Sequence, residues 1–160
     1  MNHKPVRLRP MLASDFASLA AWMVETPLWQ RYGLTRERAV SAFERGAANE
    51  DWLIVAEVDG DVRGFAWVLR QGAFGRSPYL RLIGVRPDST SGGVGALLLG
   101  EMERRAAEVA DDLFLLVSDF NLQAQQFYKR QGYTQVGAID GYVLPDVTEL
   151  LFRKRLRSIK

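Results

Sequence analysis

The sequence predicts a mixed β-sheet with helices inserted between its strands, of the α+β or α/β class, in one domain spanning residues 1–160. Three observations carry this. Two β-rich runs, Trp52 to Val58 and Val62 to Leu69, flank Asp59-Gly60-Asp61; an Asp-Gly pair tolerates the positive φ of a tight turn, so the runs pair antiparallel as a hairpin. The continuous apolar run Leu113-Phe114-Leu115-Leu116-Val117 has the pattern of a central strand covered on both faces. Between them, Val94, Leu98, Met102, Ala106 and Val109 recur at helical spacing opposite Glu101, Glu103, Arg104, Arg105 and Glu108, giving an amphipathic helix that packs on the sheet. With 160 residues, 48% of them hydrophobic, the chain can fill one core, since domains commonly hold roughly 100–150 residues.

The remaining elements follow in chain order. Val6-Arg7-Leu8-Arg9 alternates at period two and reads as a strand. Ser14 or Asp15 is placed to cap a helix running to about Glu25, with Phe16, Leu19, Ala20 and Met23 on one stripe. Thr26-Pro27 breaks that helix, and Leu28-Trp29-Gln30-Arg31-Tyr32-Gly33 reads as an aromatic-rich loop. Thr35 to Arg38 opens a second helix to about Asn49, with Ala39, Ala42 and Phe43 inward. After the hairpin, Gln71 to Pro78 reads as a longer connection into a strand from Tyr79 to Val85, ended at Pro87. A short helix from Asn121 is closed by Gly132, and strands at Thr134 to Ile139 and Thr148 to Lys154 flank a Gly141/Pro145 loop.

Composition excludes several chemistries. The chain has no cysteine and one histidine, so it has no disulfide framework, thiolate metal site or cysteine nucleophile. His3, alone beside the terminus, is a poor triad base or metal ligand. No apolar run approaches the roughly 20 residues of a membrane span, and Met1 to Pro5 lacks a secretory signal's apolar region, so a cytoplasmic protein without metal or membrane partner is expected. The formal charge of +2 is concentrated in Arg153 to Lys160. Nothing aromatic is interleaved there to stack on bases, which leaves nucleic-acid binding a minor alternative.

The chemistry lies in Ile83-Gly84-Val85-Arg86-Pro87 and the following Ser91-Gly92-Gly93-Val94-Gly95-Ala96, a strand leading through a Gly-rich loop into a helix. Such a loop presents free backbone N–H groups at a helix N-terminus, where orphan donors and the macrodipole favour an anion. It lacks the Lys of a triphosphate-binding P-loop, and Leu98 stands where a dinucleotide fingerprint has its third Gly. Downstream, Asn121-Leu122-Gln123-Ala124-Gln125-Gln126-Phe127-Tyr128 precedes Gly132-Tyr133. Together the two segments resemble the GNAT acetyltransferase superfamily, whose signature is a Gly-x-Gly phosphate loop followed by Asn-x-x-Ala-x-x-Phe-Tyr and an aromatic after Gly. Two positions depart from it. Thr90 stands where relatives carry Arg or Gln, and Tyr79 where histone-modifying relatives carry a glutamate.

The resemblance implies a mostly antiparallel sheet of about six to seven strands with helices on both faces, and a splayed parallel pair of strands, here those ending at Val85 and Val117. It implies acetyl-CoA as cofactor: backbone groups of Ile83, Gly84 and Val85 on the pantetheine arm, and main-chain N–H groups of Ser91, Gly92, Gly93, Val94, Gly95 and Ala96 on the diphosphate. Asn121 is expected both to cap its helix and to contact the coenzyme. Tyr128 shares a helical face with Asn121 and Ala124; a phenol of pKa about 10 suits it as general acid toward a departing thiolate. Phe127 reads as a core aromatic and Trp22 as part of a hydrophobic cap. Trp29 and Tyr32 are the acceptor-pocket candidates, with Tyr79 relaying a proton through ordered water. Glu25, Glu57, Asp119 and Glu149 are available carboxylates, none assigned as base. The expected activity is N-acetylation of a primary amine on a small molecule or protein by a monomer or homodimer; the alternative is a non-catalytic acyl-CoA-binding sensor.

Overall fold

The computed structural model describes residues 4–157, so His3 and the tail positions Ser158, Ile159 and Lys160 lie outside the described residues. In chain order the elements are β1 (Arg7–Pro10), α1 (Ala13–Met23), α2 (Pro27–Arg31), α3 (Arg36–Ala48), β2 (Trp52–Val58), β3 (Asp61–Ala73), β4 (Ser77–Val85), a 3-10 turn (Pro87–Ser89), α4 (Val94–Val109), β5 (Asp112–Ser118), α5 (Leu122–Arg130), β6 (Thr134–Asp140) and β7 (Thr148–Arg155). The strands form a seven-stranded sheet in the order β1-β2-β3-β4-β5-β7-β6. The β1/β2, β2/β3, β5/β7 and β6/β7 ladders are antiparallel and β4/β5 is parallel, which is the expected mixed sheet. The parallel ladder holds two pairs, Tyr79 with Phe114 and Leu80 with Leu115. The described residues group into two compact units, 4–68 with Leu82–Met102, and Leu69–Arg81 with 103–157.

In the first unit, the two faces of β3 meet different helices. A Cβ on Gly64 would lie 3.3 Å from Val94 and 3.2 Å from Leu98 of α4, whereas the next residue, Phe65, packs edge-on to Phe43 of α3 with centroids 5.4 Å apart. Phe43 also stacks on Phe16 of α1 at 5.5 Å and lies 5.6 Å from Trp67, whose indole N–H donates to Asp51 at 2.8 Å. Burying rings of this size dominates the stability of such a core.

Five expectations change, the fifth of them at β5. Neither Ser14 nor Asp15 is the N-cap of α1. The N-cap is Leu12, and Asp15 inside the first turn accepts the Leu12 N–H at 2.7 Å while taking two guanidinium bonds from Arg9 at 2.8 and 3.0 Å. The supposed loop after Pro27 folds as α2, with proline at its first position, because Trp29 gains burial between Trp22 and Phe65, 5.9 and 6.1 Å away. The connection expected over Gln71 to Pro78 shrinks to a tight turn in which Phe74 and Gly75 both have positive φ, 58° and 64°. That conformation is rarely adopted by an aromatic residue, so Phe74 gives no signal of how tight the turn is. Val109, placed on the buried stripe of α4, is 64% exposed at the helix end.

In the second unit β5 alternates rather than being covered on both faces. Leu113, Leu115 and Val117 are buried, and Phe114 and Leu116 are half-buried. Phe152 of β7 and Tyr133 are fully enclosed, and Lys154 bonds Glu103 at 2.8 Å. Gly132, with φ +92°, ends α5 as expected.

Candidate functional site

The Gly-rich loop belongs to the first unit. β4 runs to Val85, and the Arg86 N–H then donates to the Arg63 carbonyl at 2.8 Å, holding the chain against β3 up to the loop. Ser91, Gly92 and Gly93 are exposed, Val94 is buried, and Gly95 and Ala96 are half-buried. Gly93 has φ +74°, which only glycine adopts freely, and nothing lies within 4 Å of where its Cβ would stand. The Leu97 N–H bonds the Gly93 carbonyl at 3.1 Å, so the N–H groups of Val94, Gly95 and Ala96 precede the first helical hydrogen bond and have no carbonyl within α4 to bond. Open space above bare donors at the N-terminus of a 16-residue helix suits a diphosphate.

On β4, Ile83 and Val85 are half-buried. A Cβ on Gly84 would come within 2.6 Å of Trp29, 2.7 Å of Phe65 and 3.0 Å of Trp22, so glycine is required there by its aromatic neighbours. Trp29 stands inside that cluster on α2, and Tyr32 is half-buried just beyond it.

The second unit holds the phenols. Asn121 is the N-cap of α5, its Oδ1 accepting the Ala124 N–H at 3.2 Å. Gln125 donates to the carbonyls of Ser118 and Asp119, both at 3.0 Å, tying the helix start to the end of β5. These bonds seat Tyr128, whose ring is buried against Tyr133 at 5.7 Å, Phe127 at 5.3 Å and Phe152 at 6.5 Å. Burial pushes its hydroxyl well above the ordinary phenol pKa, and the charge of Tyr79 adds to the effect. Among the described residues nothing hydrogen-bonds the Tyr128 hydroxyl, which is thus a neutral donor free for a ligand.

Tyr79 is half-buried, and burial, then the negative charge of Glu149, pushes its pKa up to about 12. Register places both on one face of the sheet. Tyr79 pairs Phe114, Phe114 pairs Arg153, and Glu149 lies on the same side of β7 as Arg153, opposite Ser118. The four carboxylates left unassigned by the sequence now separate. Glu25 is exposed, Glu57 is tied to Arg9 at 2.8 Å and to Arg7 at 3.5 Å, and Asp119 accepts the Thr148 N–H at 3.3 Å. Glu149 is 5% exposed and electrostatically coupled to Tyr79. Alternation along Thr148-Glu149-Leu150-Leu151 already put it on one face, but not which face is enclosed. Among the described residues no three His, Cys, Asp or Glu side chains are grouped to hold a metal ion, and no helix is long and apolar enough to cross a membrane.

The model of the acetyltransferase (GNAT) family matches residues 16–133, which includes both the phosphate loop and the Asn121–Tyr128 helix. The chain belongs to that family. Similar to it is a protein of Pseudomonas phage PaMx11 named 5-NmdU N-acetyltransferase, 33% identical over 91 residues, 57% of this chain. The match spans 63% of that relative's length. Among solved structures, an aminoglycoside 6'-N-acetyltransferase complexed with coenzyme A superposes with a TM-score of 0.80 at 12% identity, covering 96% of this chain and 99% of the other. The Salmonella typhimurium protein yncA, solved with acetyl-CoA, gives 0.75 at 15% identity, covering 96% and 95%. At these identities the superpositions establish the GNAT fold for this chain, consistent with its parallel β4/β5 pair in a sheet whose β1/β2, β2/β3, β5/β7 and β6/β7 ladders are antiparallel.

Proposed function

We propose that the chain is an acetyl-CoA-dependent N-acetyltransferase acting on a primary amine. The observation that carries this reading is the set of unbonded N–H groups at Val94, Gly95 and Ala96 under open space at Gly93, in a chain of the GNAT family. Those groups, with Ser91 and Gly92, receive the diphosphate, and backbone groups of Ile83, Gly84 and Val85 hold the pantetheine arm. Asn121 contacts the coenzyme as well as capping α5. Bound acetyl-CoA supplies an activated thioester. The Val85 N–H would polarise its carbonyl, and the Tyr128 hydroxyl would supply a proton to its sulfur.

The amine nitrogen forms the new C–N bond as the C–S bond breaks, and the nitrogen's excess proton must leave. Glu149 receives that proton through Tyr79 and ordered water, a reading supported by its burial and by its electrostatic influence on Tyr79. Trp29 and Tyr32 contribute to acceptor selection, Trp29 from within the aromatic cluster.

Turnover is tested by thiol release from acetyl-CoA over a panel of primary amines that includes 5-NmdU, the acceptor in the phage relative's name. Release with at least one amine, accompanied by its acetylated product, is expected. Binding of acetyl-CoA with no release on any amine would assign the chain to the non-catalytic acyl-CoA-binding class instead.

A further inference from the structure

The loop has Thr90 where the GNAT resemblance implies Arg or Gln, and among the described residues the Thr90 hydroxyl makes only a long 3.5 Å bond to the Pro87 carbonyl. A guanidinium reaches the same place from another element. In the β2/β3 ladder Glu57 pairs Val62 and Ala56 pairs Gly64, leaving Arg63 without an opposing residue. That is a β-bulge, a device that re-aims one side chain out of the strand's alternation and is over-represented next to functional sites.

The re-aimed Arg63 lies beside the start of the loop. Its Nη1 donates to the Ser89 hydroxyl at 3.3 Å, one residue before Thr90, and the adjacent Gly64 sits beneath Val94 and Leu98 in the first turns of α4. Its bonding is incomplete. Nη2 lies 3.1 Å from Asp61, while Nε is buried and has no partner. The guanidinium is thus only partly committed, and its side chain is 29% exposed beside the loop.

The neighbouring Arg86 differs. Both of its terminal nitrogens bond Asp61, each at 2.9 Å, and its Nε bonds Asp88 at 2.7 Å. Arg86 therefore occupies both Asp61 oxygens in a fork-to-fork pair and draws on Asp88, which leaves Arg63 the less committed cation of the two.

We infer that Arg63, delivered by the β3 bulge, supplies the cation that the loop lacks at Thr90 and binds the coenzyme diphosphate through its Nη groups. This rests on the reading of the chain as an acetyl-CoA enzyme. A guanidinium edge matches two phosphate oxygens at once, which an ammonium does not, so lysine is an incomplete replacement. Charge compensation between strand and loop also makes the two positions exchangeable, so an arginine restored at Thr90 takes over when Arg63 is removed.

The test is titration calorimetry of the full chain with coenzyme A, dephospho-coenzyme A and pantetheine, on the native protein and on Arg63→Gln, Arg63→Lys and the double variant Arg63→Gln/Thr90→Arg. Melting curves establish that each variant is folded, and Arg63→Lys, which keeps the charge, serves if Arg63→Gln does not fold. Arg63→Gln is expected to weaken coenzyme A about 10- to 100-fold, the range of a charge-assisted hydrogen bond. Dephospho-coenzyme A should lose the same factor, and pantetheine, which has no diphosphate, none. Arg63→Lys should fall between, and the double variant should recover most of the loss. Equal affinity of the native protein and a folded Arg63→Gln overturns the inference, as does a loss that disappears with dephospho-coenzyme A, which would place the cation on the 3'-phosphate. Failure of the native protein to bind coenzyme A defeats the proposed function itself.

Discussion

Gly84 of β4 lies so close under the Trp29 indole that a Cβ would stand 2.6 Å from Cη2. Phe65 and Trp22 bound the same spot at 2.7 and 3.0 Å, so no rotation of Trp29 alone makes room. Gly84→Ala is therefore expected to destabilise the protein by about 1–3 kcal/mol through overpacking, lowering Tm by about 3–10 °C. A thermal melt checks this, and an unchanged Tm would mean that the aromatic cluster yields where the geometry says it is full.

Tyr128→Phe keeps the ring that packs on Tyr133 and Phe152 and removes only the hydroxyl, which bonds nothing among the described residues. Stability and acetyl-CoA affinity should stay close to native while kcat falls about 100-fold or more, the usual share of a general acid. Because burial raises the Tyr128 pKa, its protonated form persists through the whole neutral range. The native rate should then show no alkaline fall from this group below the ordinary phenol pKa of about 10. Steady-state kinetics against pH reads both effects.

Tyr79, with its pKa pushed up to about 12, stays neutral at working pH, which suits the proposed relay rather than a final base. Glu149→Gln should lower kcat by about 100-fold at neutral pH, with acetyl-CoA binding unchanged. Tyr79→Phe should also reduce the rate, with acetyl-CoA binding unchanged. Full turnover across pH in Tyr79→Phe would exclude the relay.

The Arg9–Asp15 pair is a stability device. Hydrogen bonding from Arg9 holds the Asp15 carboxyl below its ordinary pKa, and the side chains are 18% and 9% exposed. A carboxyl whose folded pKa is depressed contributes stability that is complete above its unfolded pKa of about 3.9 and is lost as pH falls through the lower folded value. Asp15→Asn should cost about 2 kcal/mol at pH 7. Urea melts should show that difference shrinking as pH is taken below about 4.

The elements that were legible in the sequence are those whose cause is local. The Asp59-Gly60 turn, both with positive φ, the Gly93-Val94-Gly95 loop and the Asn121 cap each depend on a few adjacent residues, and each stands where the pattern put it. What the pattern missed depends on distant partners. Pro27 to Arg31 becomes helical because Trp29 finds Trp22 and Phe65, and Asp15 leaves the cap position because Leu12 offers an N–H and Arg9 a guanidinium. Arg63 reads as one more strand residue until the Glu57–Val62 and Ala56–Gly64 pairs reveal a bulge. Glu149 was indistinguishable from three other acidic side chains until burial separated it from them.

The most direct test is an amide NMR titration of the full chain with coenzyme A. The account predicts that the N–H resonances of Gly92 through Ala96 shift first and furthest, because those donors exchange water for the diphosphate. Saturating coenzyme A that leaves these resonances in place, or moves only resonances elsewhere, would contradict it.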